Sequence, residues 1–232
     1  RAESPPPDPL RVMSVNLAIG RADIDRIAEL ARDQAVDVIA FQELTPDALE
    51  ALADSALGDE MRHSVLDARE GPFGIGTISR KALEALPQPE LSPDKPAVAA
   101  LVAFPGAPGG SIEVWNVHPP PPVDPAGVAE LRRYLEAIPA PDPDGPPRLL
   151  LGDFNSTLDH PNFQAVLDRG YRDAADALGE GLAPTWPNDG FPPGVVIDHA
   201  LGDERIEFSD YSVHDVPGSD HKAVVVSLSL DP

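Results

Sequence analysis

Two short strings place acids beside bases or amides where a strand begins or ends: Leu151-Gly152-Asp153-Phe154-Asn155 and Pro217-Gly218-Ser219-Asp220-His221. Side chains alternate along a strand with period two, so an Asp-x-Asn at a strand end aims two oxygen-bearing groups the same way. An Asp-His pair at a strand start sets a carboxylate suited to a hard cation beside a base that titrates near neutrality. Two further residues extend the set. Asn16 closes an apolar run over 10–17, and Glu43 follows Val38-Ile39-Ala40-Phe41. Alone, Glu43 reads as a solvated acid and Asn16 as a turn residue. If their runs are parallel strands, both emerge at one C-terminal sheet edge, where α/β proteins place ligands. A carboxylate and an amide oxygen at such an edge suit Mg2+ or Mn2+, ions that prefer oxygen donors.

The elements that must position these residues follow from periodicity. Strands are expected at 10–17, 36–41, 63–66, 74–79, 97–104, 111–117 and 148–152, with three closing strands at 194–201, 206–213 and 222–230. Helices are expected over 22–34, from Thr45-Pro46 to about 56, over 126–138, and at 161–167 and 172–178. The first part alternates strand and helix, and the rest is richer in strand-to-strand connections. That mixture predicts two sheets packed face to face with helices outside. Prolines, 29 in all, cluster in loops at 119–122, 139–147 and 184–193. They read as rigid connectors within one domain over 10–232, preceded by a Pro-rich linker at 1–9.

Composition narrows the partners. The chain has 232 residues, enough for one large α/β domain. Its 39 acids against 17 bases give a net charge of −22, which argues against a basic grip on nucleic acid. Bound divalent cations can reverse the field locally, so hydrolysis of nucleic acid stays open. There is no Cys, so thiol chemistry is excluded. No apolar run reaches the roughly 20 residues of a membrane span. The sequence opens on Arg1 rather than Met and reads as a piece of a longer chain. The chain is expected to be a monomer.

The chain resembles the endonuclease/exonuclease/phosphatase superfamily. The resemblance rests on Val15-Asn16, Phe41-Gln42-Glu43, Gly76-Thr77-Ile78-Ser79-Arg80, Asn116-Val117-His118, Gly152-Asp153-Phe154-Asn155, Ile197-Asp198-His199 and Gly218-Ser219-Asp220-His221. These segments occur in family order and span nearly the whole chain. The resemblance implies a four-layered α/β sandwich, two mixed sheets packed face to face with helices outside, and a site at one edge of both sheets. It makes Glu43 the main ligand of Mg2+ or Mn2+, with Asn16 and Asp220 completing or supporting the metal shell. Asp153 and Asn155 would orient the attacking water and the phosphate. His221 would pair with Asp198, whose carboxylate orients the imidazole and favours its charged form. His118 would assist the leaving oxygen. An extracytoplasmic location, secreted or anchored through a preceding segment, is likewise implied only by the resemblance.

Other residues read more plainly. His63 and His160 are expected at the surface or as caps, and His199 in a structural role facing away from Asp198. His214 lies close in sequence to the His221 loop. Trp186 either lines the pocket mouth or anchors a loop, and Arg80 is expected to partner acids near the site. Three functions remain open at this stage. They are a phosphodiesterase for a small or lipid-derived phosphate ester, an acidic secreted deoxyribonuclease, and a catalytically dead binding module of the same fold.

Overall fold

The structure, a computed structural model, describes residues 8–93, 95–188 and 193–230. Most of the linker expected at 1–9 and the middle of the proline run 184–193 lie outside the described residues. In chain order, β1 (Leu10–Asn16) leads through α1 (Ile24–Asp33) to β2 (Val38–Gln42). Next come α2 (Pro46–Asp54), α3 (Ala56–Glu60), β3 (His63–Asp67), β4 (Ile75–Ser79) and β5 (Leu83–Ala85). β6 (Val98–Ala103) and β7 (Ser111–Val117) precede α4 (Pro125–Ala137) and β8 (Arg148–Asp153). The chain closes with α5 (Pro161–Leu167), β9 (Tyr171–Asp173), α6 (Ala174–Leu178), β10 (Asp198–Asp203), β11 (Ile206–Asp215) and β12 (Lys222–Leu230).

Helix starts carry their own chemistry. Asp23 accepts from the Arg26 N–H, Thr45 from that of Ala48 and Asp124 from that of Gly127, each satisfying a donor the helix leaves free. Pro46, Pro125 and Pro161 occupy first-turn positions, where a missing N–H costs nothing.

The twelve strands form two six-stranded sheets, ordered β11-β12-β1-β2-β4-β3 and β5-β6-β7-β8-β10-β9. Each holds one parallel pair, β1–β2 in the first and β7–β8 in the second, while the other neighbours run antiparallel. A helix crosses over between the members of each parallel pair, α1 in one sheet and α4 in the other. The two halves therefore share a plan that no repeat in the sequence announces.

Three apolar clusters mark the layers. Val12, Val38, Ala40, Val114, Leu149 and Val224 meet between the sheets. Met13, Ile39 and Val225 face α1 to α3 on one outer side, and Trp115, Leu150 and Leu201 face α4 and α5 on the other. Because strands buried on both faces need apolar residues on both, these segments read as continuous apolar runs rather than alternating ones. The result is the four-layered sandwich expected.

Two assignments differ from expectation. The stretch 172–178 is not one helix: Arg172 and Asp173 pair with β10, and the Asp173 side chain then caps α6 by accepting from Asp176 N–H. The strand expected over 194–201 begins only at Asp198. The Ile197 and Asp198 N–H groups both donate to the Thr185 hydroxyl, so a side chain takes the place of a ladder there.

Candidate active site

The parallel pairs set the register of the site. Asn16 lies opposite Gln42, and the next residue after β2 is Glu43. Val117 lies opposite Gly152, and the next residues are His118 and Asp153. Equivalent ends of the two sheets thus bring Asn16 and Glu43 to face His118 and Asp153. The backbone is bent to do so. Glu43 (φ +57°) and Asn155 (φ +48°) are left-handed, as are Ala18 and Ile19 beside them. Non-glycine residues held in that region cost energy and gather at functional sites. Gly152 is required because a Cβ there would overlap the Val117 carbonyl oxygen. Gly218, at φ +83°, lets the His221 loop pass against the Arg21 carbonyl in the same way.

At the centre stands Asp153. Its Oδ2 accepts from Asn16 Nδ2 at 3.1 Å and lies 3.6 Å from Nε2 of both His118 and His221. Its Oδ1 accepts from the Asn155 N–H at 2.8 Å. Glu43 Oε1 lies 3.4 Å from Asn16 Nδ2 and 3.9 Å from His118 Nε2, while Oε2 accepts from the Ile19 N–H at 2.7 Å. His221 Nδ1 lies 3.0 Å from Asp198 Oδ2. Asp198 is fully buried, and its Oδ1 has no hydrogen-bond partner among the described residues.

Burial dominates the electrostatics. It pushes the Asp153 carboxyl upward, and the neighbouring His221 cation only partly offsets this. Burial, together with Lys95 and His221, holds His118 well below the usual imidazole value, so it is neutral at pH 7. Burial works against the charged form of His221 too, but there the Asp198 and Asp153 carboxylates win and hold it as imidazolium.

Two of the expected metal ligands are placed differently. Asn16 was expected to ligate through its amide oxygen. That oxygen accepts from the Ala18 N–H at 2.9 Å, so the NH2 faces the carboxylates. In this orientation Asn16 supports the carboxylates, spanning Asp153 and Glu43. Asp220 was also expected in the shell, but it is exposed, and its Oδ2 accepts from Trp186 Nε1 at 3.2 Å. His221 turns inward, and its neighbour Asp220 turns outward. Asn155 lines the cleft, with Nδ2 bonded to the Pro119 carbonyl at 3.0 Å.

Trp186 lines the cleft mouth, its ring centroid 6.5 Å from that of His221. His214 bonds to Ser212 Oγ and His63 is exposed; neither lines the cleft. Arg80 pairs with Glu60, outside the site. His160 is the N-cap residue of α5, with Nδ1 accepting from the Thr157 N–H, and also lines the cleft.

Several site residues carried no expectation. Lys95 is 6 % exposed, bonds to the Pro72 carbonyl at 2.7 Å and lines the same cleft. Burial lowers its pKa, against the attraction of Glu43 and Asp153. It sits in a Pro-flanked loop with no apolar pattern, so nothing local marks it as buried. Gln42 and Asn116 are neighbours of motif residues; Gln42 Nε2 donates to Asn116 Oδ1 at 2.8 Å, bridging the two sheets. Thr185 holds the start of β10 by its hydroxyl and accepts the Lys222 N–H at its carbonyl, which fastens Asp198 and His221 side by side.

The donor set fits a hard divalent cation. Glu43 and Asp153 offer carboxylate oxygens within reach of one Asn16 amide, and a cation there would keep the buried Asp153 ionised. Asp153, Asp198 and His221 form a second grouping, with ligand atoms all within 4.8 Å of one another. Since His221 Nδ1 is committed to Asp198, the carboxylate pair is the better fit.

Behind the site, His199 faces away from His221. Its Nδ1 meets Asp173 Oδ2 at 2.7 Å and its Nε2 meets the Ser156 carbonyl at 2.8 Å. Both partners are acceptors, so both ring nitrogens carry protons. The ring packs against Phe154 and Phe163, which ties the catalytic loop to β9 and α6. Burial opposes this charge, but Asp173 prevails and raises the pKa above 6.5. A raised folded-state pKa contributes stability that is full below 6.5 and fades as pH rises through the raised value. His199→Gln is expected to cost about 3–5 kcal/mol at pH 6, and the difference from wild type should shrink by pH 9 in urea-unfolding curves.

A family model described as "Endonuclease/Exonuclease/phosphatase family" matches residues 13–221. No curated protein sequence matches the chain. Among solved structures, an endonuclease/exonuclease/phosphatase from Beutenbergia cavernae is 21% identical, with TM-score 0.69 over 96% of this chain and 72% of that one. A humanized TDP2 from D. rerio is 17% identical, with TM-score 0.74 over 95% of this chain and 99% of that one. The 3' phosphatase NExo from Neisseria, bound to product DNA hairpin, is 21% identical with TM-score 0.71 over 96% and 100%. At these identities the likeness is one of fold.

Proposed function

The chain belongs to the endonuclease/exonuclease/phosphatase family, and from that premise we propose that it is a divalent-metal-dependent phosphodiesterase. The observation that carries this reading is the convergence on Asp153: two imidazoles at 3.6 Å, one neutral and one charged, with Glu43 held alongside by Asn16. Glu43 and Asp153 would hold Mg2+ or Mn2+. Such an ion supplies Lewis-acid stabilisation of the phosphoryl oxygens.

The remaining work falls to side chains. Asp153, kept ionised beside the cation, would orient the attacking water and accept its proton. Asn155 holds the loop that aims it. The His221 imidazolium, oriented by Asp198, donates to a phosphoryl oxygen and stabilises the charge that grows there. That differs from the base that an Asp-His pair suggests in sequence, because two carboxylates keep its proton in place. His118 stands opposite to hydrogen-bond the leaving oxygen.

Lys95 places a buried cation in the same cleft. Lys95→Met is expected to lower kcat/KM by about ten- to hundredfold, the worth of one charge-assisted hydrogen bond. An unchanged kcat/KM would remove Lys95 from phosphate binding.

The decisive assay is hydrolysis of bis(p-nitrophenyl) phosphate with Mg2+, Mn2+ or EDTA, beside a phosphomonoester. Metal-dependent diester cleavage supports the reading, and cleavage of the monoester alone points to a phosphatase. Absence of both leaves a binding module. The nuclease reading draws on fold neighbours described with DNA, and the −22 net charge weighs against it. Plasmid nicking at catalytic enzyme levels would favour it.

A further inference from the structure

Resting on the phosphodiesterase reading, we propose that the cleft selects phosphodiesters bearing one apolar substituent, aryl or long-chain alkyl, gripped by Phe73, Val123 and Val195. The cleft holds about 1300 Å³ and is unevenly built. Its floor is the polar group around Asp153. The apolar parts of its walls come from three separate loops: Phe73 before β4, the proline run ending in Val123 after His118, and the bridged residues Trp186 and Val195 before β10.

These side chains are exposed where hydrophobic burial would be favourable. Phe73 is 43 % exposed, Val123 83 % and Val195 39 %, and all three line this one cleft. Large apolar side chains gathered at one concave surface mark a ligand or partner site.

Charge decides which ligand. Arg69 and Lys95 are the Lys and Arg side chains lining the cleft among the described residues. Arg69 is spent on a two-pronged bond to Asp67, at 2.9 and 2.7 Å. Lys95 bonds to the Pro72 carbonyl and stands over the Phe73 ring at the cleft edge, 5.2 Å from its centroid, with donor capacity left for a single phosphate. Asp124 and Glu130 line the cleft beside the Val123 loop, so further phosphates along a polynucleotide would meet carboxylates instead of cations. A ligand with one phosphate and one apolar arm satisfies both walls and floor.

The test measures kcat/KM with Mg2+ for three soluble diesters of p-nitrophenol whose second ester group is methyl, phenyl or octyl. Burial of methylenes is worth about fourfold each, so kcat/KM should rise by at least about tenfold from methyl to octyl. Val123→Ser, a change at a surface position, should shrink the octyl-to-methyl ratio by about threefold or more, and Phe73→Ser should do likewise.

Equal values for the three esters, or a ratio unmoved in both variants, overturns the inference and leaves the phosphodiesterase standing. Failure to cleave any of the three with Mg2+ or Mn2+ removes that reading and the inference with it. Faster cleavage of a single-stranded oligonucleotide, per diester, than of the octyl ester also overturns it. Octyl preference with sedimentation on phosphatidylcholine vesicles, lost in Val123→Ser, identifies the apolar arm as that of a membrane lipid. The same preference without vesicle binding identifies a free molecule, and either result supports the inference.

Discussion

Glu43→Gln is expected to lower turnover by about two orders of magnitude or more, the contribution of one preorganised electrostatic group. The substitution keeps size and retains an oxygen that can accept from the Ile19 N–H, so the left-handed turn at Glu43 can persist. What disappears is the charge opposite Asp153. The measurement is kcat at saturating Mg2+, with calorimetry of Mg2+ binding beside it. Turnover near wild type would mean that the cation does not sit on Glu43.

His221 and Asp198 are expected to act as one unit. His221→Ala should cost about two to four orders of magnitude in kcat. Asp198→Ala should reproduce most of the same loss, because the imidazole is then neither oriented nor held charged. The double variant should be little worse than His221→Ala alone, since groups that work together are not additive. Stability should move in the opposite sense. Asp198 is fully buried, its Oδ1 lacks a partner among the described residues, and His221 supplies its compensating charge. His221→Ala therefore strands a buried carboxylate, and the double variant should unfold at higher urea than the single one. Additive kinetic losses, or a double variant less stable than His221→Ala, would show that the two side chains do not cooperate.

How much of this was legible in the sequence depended on whether the information was local. β-branched runs such as Val224-Val225-Val226 announce buried strands, and the ends of parallel strands announce a common edge for Asn16 and Glu43, whereas Asp153 stands out by its own string and His118 is marked only by the family resemblance. Side-chain direction was less accessible. Asp220 adjoins His221, yet the two turn opposite ways. The Asn16 amide could point either end at the carboxylates, and only the Ala18 N–H, two residues on, decides which. Lys95 was invisible because its burial comes from distant loops. Gln42 and Asn116 stood inside recognised strings, but their bond joins residues 74 apart, a pairing that no local pattern encodes.

The bonds Gln42–Asn116, Asn16–Asp153 and His221–Asp198 share one property: each joins the first sheet, or in the case of His221 the residue that leads into it, to the second. Neither sheet carries the whole candidate site: Asn16 and Glu43 come with one, His118 and Asp153 with the other, and the contacts that join the two pairs are also distances between layers. The candidate site is thus an alignment gauge. Heat, a wedged ligand or a docking protein that slid one sheet by a fraction of a residue would leave every strand intact and take the site apart first.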